Sequence, residues 1–392
     1  MKIHTKAVHA GDRKKPNAAI PVTTPIYGAA SYIYEDVETL DRVFAEEEDG
    51  YCYARYDNPT NHALEDLLAS LESGAGALAT SSGMAALQIA IQSGLTDRRR
   101  SIVAANVLYG ATMRMLVSVF EPAGVEIRWV DICDLAAVEA AIAEARPGCV
   151  VMETVSNPLL RVGAMDRIAQ LTRAAGAALI VDNTFATPLM VRPLELGANL
   201  SVHSVTKYLA GHGDVLGGAV ISDEQHLPAL RVLAKTCGPN LGAFESYLAM
   251  RGIKTFALRV ERQCANGCRV ASWLAQHPRV SRVYFPADPQ HPDSETIRRL
   301  FPENLYGAIA SFDLKDSGKT EVFEFMNRLK LVVRATSLGD VHSMILYPAM
   351  SSHRDLAPKQ RQRLGIGDSL LRLSTGIEAV DDILADLDQA LA

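Results

Sequence analysis

Residues 201–218 read SVHSVTKYLAGHGDVLGG. Small and β-branched residues (Ser201, Val202, Ser204, Val205) form a strand-like entry that delivers one lysine, Lys207, into a run punctuated by Gly211, Gly213, Gly217 and Gly218. Those glycines let backbone pass close to a bulky neighbour. Most loop lysines simply face solvent, but Ser204 and Thr206 set hydroxyl donors beside this amine, a natural set for a phosphate. Upstream, the apolar run Ala178-Leu-Ile-Val181 ends at Asp182-Asn-Thr184, which predicts a carboxylate at the carboxyl end of a buried strand. A lysine able to form a Schiff base and an aspartate able to pair with a pyridinium nitrogen are what pyridoxal phosphate requires of its protein.

Outward from this stretch the pattern alternates. Apolar strand candidates at Ile102–Ala104, Ile127–Val130, Val150–Met152, Leu179–Val181 and Leu200–Val202 are separated by helical segments such as Leu135–Ala145 and Asp166–Ala175. Alternation of this kind predicts a largely parallel sheet covered by helices, with ligands at the carboxyl ends of the strands. Asp182, Asn106–Tyr109 and Ser156–Asn157 all fall at such ends. Ser81 and Ser82 can cap a helix whose Met84, Leu87, Ile91 and Leu95 lie at helical spacing, so free N–H groups at Gly83 and Met84 could hold a phosphate. A capped helix without a ligand is the commoner case. After Gly242 a long helical stretch, Lys254–Leu274, precedes β-like segments at Ala308–Leu314, Leu331–Val333, Ser343–Leu346 and Leu371–Ser374, mixed with helices near Val322–Leu329 and Val380–Leu391. That part reads as α+β.

The segments YARYDNPT, SSGMAAL, LYGATM, SNP, DNTFATP, SVTKYLAGHGD, TSLGD and LRLSTGIE occur in order between Tyr53 and Glu378. Together they resemble the trans-sulfuration enzymes: cystathionine γ-synthases, cystathionine and methionine γ-lyases, and O-acylhomoserine sulfhydrylases. The resemblance implies an α/β chain of pyridoxal-phosphate fold type I (aspartate-aminotransferase-like), with a mostly parallel sheet and a smaller C-terminal α+β domain. It implies an arm over residues 1–57 that contacts a neighbouring subunit, a cofactor domain over 58–245 and a second domain over 246–392. Lys207 becomes the Schiff-base lysine and base, Asp182 the ring-nitrogen partner, and Tyr109 a ring-stacking residue that exchanges a proton with the leaving group. Ser82, Gly83, Met84, Thr184, Ser204 and Thr206 align with cofactor contacts. Tyr53 and Arg55 match residues that reach the cofactor phosphate across a dimer interface. Asn157 aligns with a contact to the cofactor's phenolate oxygen and, with Glu153, lies on the cofactor and substrate side. Ser337 and Arg372 match contacts to the substrate carboxylate.

Two departures bear on substrate. Family methionine γ-lyases often carry a cysteine two residues after the stacking tyrosine, and this chain has Ala111. Members acting on cystathionine usually carry a glutamate where His342 stands. The expected activity is a pyridoxal-phosphate-dependent carbon–sulfur γ-lyase on a sulfur amino acid, giving a 2-oxo acid, ammonia and a thiol. A γ-replacement enzyme is the alternative within the family, and a non-catalytic metabolite-binding α/β protein the alternative outside it. A homo-oligomer, a tetramer built from dimers with shared sites, is implied.

Composition narrows the classes. The 392 residues, 48% hydrophobic and 21% charged, suit a globular enzyme with room for two cores. A net charge of -6 argues against a nucleic-acid binder, and the one tight basic run, Arg98-Arg-Arg100, reads as a solvated loop. The amino terminus lacks the apolar core of a signal peptide and no long apolar run suggests a membrane span, so a cytoplasmic enzyme is expected. Six cysteines without a completing histidine set read as free thiols, with no metal site. A nicotinamide-dependent dehydrogenase would share the alternation, but Gly74-Ala-Gly76 is followed by Ala77-Leu-Ala79, so the glycine fingerprint is missing.

Overall fold

The runs that read as strands between residues 101 and 203 form strands, buried along their length at the centre of the sheet and largely exposed at its edge strand Glu126–Val130. The computed structural model describes residues 1–11, 20–351, 354 and 358–392. Seven strands form the first sheet: β1 (Gly76–Thr80), β2 (Ser101–Ala105), β3 (Glu126–Val130), β4 (Cys149–Glu153), β5 (Ala178–Asp182), β6 (Leu200–His203) and β7 (Gly218–Ser222). Their spatial order is β1-β7-β6-β5-β4-β2-β3. The pairs from β6 through β3 are parallel, while β7 runs antiparallel to both β6 and β1. Every residue of β2 and β4 is buried, the pattern of a strand enclosed on both faces. The carboxyl ends of β4, β5 and β6 therefore share one edge.

The second sheet joins β8 (Val280–Tyr284), β9 (Ile309–Leu314), β10 (Val333–Arg334), β11 (Met344–Leu346) and β12 (Leu370–Ser374) in the order β10-β11-β12-β9-β8. Its pairs are antiparallel except β10 with β11. Between the sheets runs the helix Phe256–Gln276, which gives Phe256, Val260 and Cys264 to the first core and Val270 and Leu274 to the second. One helix thus registers one sheet against the other.

Several readings change in detail. The arm over residues 1–57 carries two helices, Ile3–His9 and Val37–Phe44. The first folds back on its own chain: Ala7 is buried and His4 bonds Glu261 at 2.6 Å. The second is capped by Asp36, which accepts from Thr39 N. Pro16 lies outside the described residues. Arg99 is not merely solvated, because its guanidinium donates to the Ala175 and Gly176 carbonyls and so closes the end of helix Met165–Ala175. No helix among the described residues is long and apolar enough to cross a membrane.

Candidate active site

At the shared edge of β4, β5 and β6 lies a cavity of about 470 Å³. Helix Gly83–Gly94 aims its first turn into it, with Ser82 as N-cap accepting from Ala85 N at 3.2 Å. The N–H groups at that end have no partner within the helix, and the helix dipole adds positive potential there. Two glycines keep the wall thin. A Cβ at Gly83 would lie 2.9 Å from Ser204 Cβ, and one at Gly218 would lie 2.2 Å from the Ser82 carbonyl oxygen. Ser204 and Thr206 line the same end. Thr184 joins the two strand ends, its hydroxyl accepting from Ser204 N at 2.9 Å while its own N–H donates to Asp182 at 3.0 Å.

Ionisable groups converge at the base. Asp182 at the end of β5 stands opposite Glu153 at the end of β4. Glu153 accepts from Tyr109 N at 2.6 Å and Asn157 N at 3.2 Å, so a single carboxylate fixes two loops. Burial, then the charge of Asp182, pushes Glu153 up to about 8 against those two donors. Burial also raises Asp182, opposed by Thr184 and by the charge of His203.

Lys207 Nζ donates to Ser337 Oγ at 3.0 Å, and burial followed by the charge of Arg372 lowers its pKa. Arg372, on β12, reaches across from the second sheet. Its Nη1 donates to Asn157 Oδ1 at 2.9 Å and its Nη2 to the Ser337 carbonyl at 3.3 Å, while its Nε is buried without a partner. Burial pulls its pKa down to about 10. A buried guanidinium with a free N–H is prepared for a carboxylate.

Comparison with known proteins agrees with this geometry. Residues 4–392 match the model of the Cys/Met metabolism PLP-dependent enzymes. The chain belongs to that family. An L-methionine γ-lyase of Fusobacterium nucleatum subsp. polymorphum is 39% identical over 99% of this chain and 97% of its own. A cystathionine γ-synthase of Mycobacterium bovis is also 39% identical, over 99% of this chain and 96% of its own. The crystal structure of a cystathionine γ-lyase from Lactobacillus plantarum, complexed with L-serine, superposes with a TM-score of 0.92 at 35% identity, covering 100% of this chain and 98% of that one. The fold is that of the pyridoxal-phosphate-dependent trans-sulfuration enzymes.

The family's cofactor fits the residues present. The bare-glycine cradle, the capped helix end and the hydroxyls of Ser204 and Thr206 suit a phosphate, and Lys207 and Asp182 line the same cavity. Of the residues the sequence points to, Ser82, Gly83, Met84, Tyr109, Asn157, Asp182, Thr184, Ser204, Thr206, Lys207 and Arg372 line it, and Ser337 bonds Lys207. Tyr53, Arg55 and His342 are not among its walls. Arg55 lies 4.7 Å from the Tyr56 ring centroid and donates to the Lys235 carbonyl. The His342 side chain is 65% exposed and bonds Asp340 at 2.8 Å.

Sequence reasoning missed the rest of the wall: Leu87, Val155, Phe185, Leu216, Thr336, Leu338, Leu346 and Ser351. Phe185 adjoins the DNT motif and its ring centroid lies 5.8 Å from Arg372 Cζ, so proximity to Asp182 could have found it. Leu346 faces Arg372 in the β11–β12 register, a pairing that no local sequence signal reveals.

Proposed function

We propose that the protein is a carbon–sulfur γ-lyase for a sulfur amino acid with a neutral γ-substituent, of the methionine or homocysteine type. The observation that carries this reading is the composition of one cavity. Arg372 offers a buried, unpartnered Nε for an α-carboxylate, while Phe185, Leu216, Thr336, Leu338, Leu346 and Ser351 offer no charge to a distal ammonium. The part of the wall formed by these six residues, unlike that formed by Glu153, Asp182, Lys207 and Arg372, is uncharged and suits a thioether or thiol better than the ionised tail of cystathionine. His342, where cystathionine-handling relatives usually carry an acid, lies outside these walls with its side chain 65% exposed and does not carry the preference. For methionine, water enters and 2-oxobutanoate, ammonia and methanethiol leave.

When bound, pyridoxal phosphate supplies an electron sink for negative charge at the substrate's α-carbon. The remaining work falls to side chains of this chain. The N–H groups of Gly83 and Met84, with the Ser204 and Thr206 hydroxyls, would hold the phosphate, and Asp182, oriented by Thr184, would pair with the ring nitrogen. Asn157 would hold the cofactor ring while it steadies Arg372, which would grip the substrate carboxylate beside Ser337. Lys207 Nζ takes the α-proton, and its lowered pKa makes the neutral amine available for that task. Tyr109, held at its N–H by Glu153, gives a proton to the departing sulfur.

A γ-replacement reading uses the same residues, and the 39% identity to a cystathionine γ-synthase favours it as much as the 39% identity to a methionine γ-lyase favours elimination. The deciding experiment is a panel of methionine, homocysteine, cystathionine, cysteine and O-acylhomoserines, each with and without sulfide. It scores 2-oxobutanoate against new thiol or thioether. Oxo acid from methionine or homocysteine without sulfide is the expected result. Cystathionine as the preferred substrate would overturn the neutral-substituent reading, and product formed only with sulfide would make the enzyme a sulfhydrylase.

A further inference from the structure

Outside the cavity wall, helix Pro59–Glu72 ends on a carboxylate that is 0% exposed. Glu72 Oε1 accepts from three side chains: Asn183 Nδ2 at 2.9 Å, Ser201 Oγ at 3.1 Å and His203 Nε2. Its Oε2 is buried without a partner. Ser201 and His203 are two residues apart on β6 and so share a face, and Asn183 directly follows Asp182. An ionised carboxylate in such a place is costly unless a counter-charge accompanies it. Among the described residues that bond it, His203, itself 1% exposed, is the one that can carry such a charge.

The position of this pair relative to Asp182 gives it a possible use. Asp182 is flanked in the sheet by the ends of two strands. β4 sets Glu153 directly opposite it, a second buried carboxyl that burial and the charge of Asp182 push up to about 8. β6 sets Val202 opposite it and His203 one residue further on. The charge of His203 acts against burial at Asp182, and Glu72 is the carboxylate bonded to that ring.

We propose that Glu72 and His203 form a buried ion pair that holds Asp182 in the ionised state needed to pair with the cofactor ring. His203 is the positioning residue, and Glu72 acts through it. The proposal rests on reading Asp182 as the ring-nitrogen partner.

The test uses substitutions that keep hydrogen bonds and remove charge. His203→Gln retains a side-chain N–H toward Glu72, and Glu72→Gln retains a carbonyl acceptor for the three donors. Each full-length variant is measured for thermal stability, for its dissociation constant for pyridoxal phosphate read by absorbance, and for substrate α-proton exchange in deuterated water. The expected result is cofactor affinity weakened roughly tenfold, the equivalent of one pK unit at Asp182, with slower exchange and a smaller change in Tm. A fall in Tm with affinity and exchange unchanged would reduce the cluster to a structural clamp and overturn the proposal. The double variant Asp182→Asn/His203→Gln adds a readout that survives if one single variant folds poorly. Coupling through Asp182 predicts no further loss of affinity beyond Asp182→Asn alone, whereas independent, additive losses contradict it. If Asp182→Asn by itself leaves affinity and exchange intact, the reading of Asp182 fails instead.

Discussion

Arg372 divides one guanidinium among three tasks: Asn157, the Ser337 carbonyl and a vacant Nε direction. A lysine can supply the charge but not the fork, so Arg372→Lys should not rescue the site. Losing one charge-assisted hydrogen bond costs about 1.5–3 kcal/mol, and about 1.4 kcal/mol is a factor of ten in rate. Arg372→Lys should therefore lower kcat/KM at least roughly tenfold on any true substrate; steady-state kinetics within twofold of wild type would remove Arg372 from the carboxylate role. Lys207 gives a second test. Burial and then Arg372 lower its pKa, so the neutral amine appears at lower pH than on an ordinary lysine. In the cofactor-free chain, an amine-directed reagent should modify Lys207 with a midpoint below the usual value of about 10.4. Restoring the cofactor and reducing with labelled borohydride should place the label on Lys207, and Lys207→Ala should abolish turnover. Both residues were legible in the sequence, because a lysine beside two hydroxyls and an arginine in a family-like strand carry local signals. Thr336, Leu346 and Ser351 were not, because their place in the wall depends on how the second sheet docks over the first.

At the scale of elements, Asp386 shows how one side chain can fix a turn. It sits on helix Val380–Leu391 and accepts from the N–H groups of Lys330, Leu331 and Val332, each at 2.8 Å, just before β10. Burial alone would raise its pKa, but those three donors outweigh burial and the net shift is downward. A folded pKa below the unfolded one means the stabilisation is complete above about pH 3.9 and is lost as pH falls through the depressed value. Asp386→Asn, which turns one acceptor into a donor facing an N–H, should cost about 1.5–3 kcal/mol at neutral pH. The gap in denaturation midpoint between wild type and variant should narrow on acidification below that range; a gap independent of pH would assign the loss to packing. The alternating strands and helices could be read from periodicity, and helices Leu135–Ala145 and Val380–Leu391 fall on the residues predicted. β1 and β7 could not. Both are rich in glycine and alanine, and the stretch at Gly217-Gly218 that reads as a turn enters a strand pressed against the start of helix Gly83–Gly94. Tertiary contact, not propensity, makes them strands.

At the scale of the whole molecule, the single chain leaves two proposed phosphate contacts away from the cavity. Tyr53 and Arg55 lie outside its walls, in a stretch where apolar side chains are unusually exposed: Val22 at 78%, Ile33 at 96%, Val37 at 76% and Tyr53 at 43%. Such a surface calls for cover, and we propose that the arm over residues 1–57, whose helix Ile3–His9 stays packed on its own chain, contacts a second copy through this surface, with the Tyr53 and Arg55 of one copy completing the phosphate end of the other. Each site would draw Lys207 from one copy and Arg55 from its neighbour, so Arg55→Ala and Lys207→Ala chains should each be nearly inactive alone. Mixed and allowed to exchange, they form hybrids in which one site has both residues intact and the other has neither. Random pairing makes half of the dimers hybrid, so activity should return to roughly a quarter of wild type. Sedimentation of the mixture decides what that recovery means: a dimer or larger species carrying the recovered activity supports shared sites. A wild-type species that sediments as a monomer at full activity, or a mixture that exchanges subunits without any recovery, would show that each chain completes its own site.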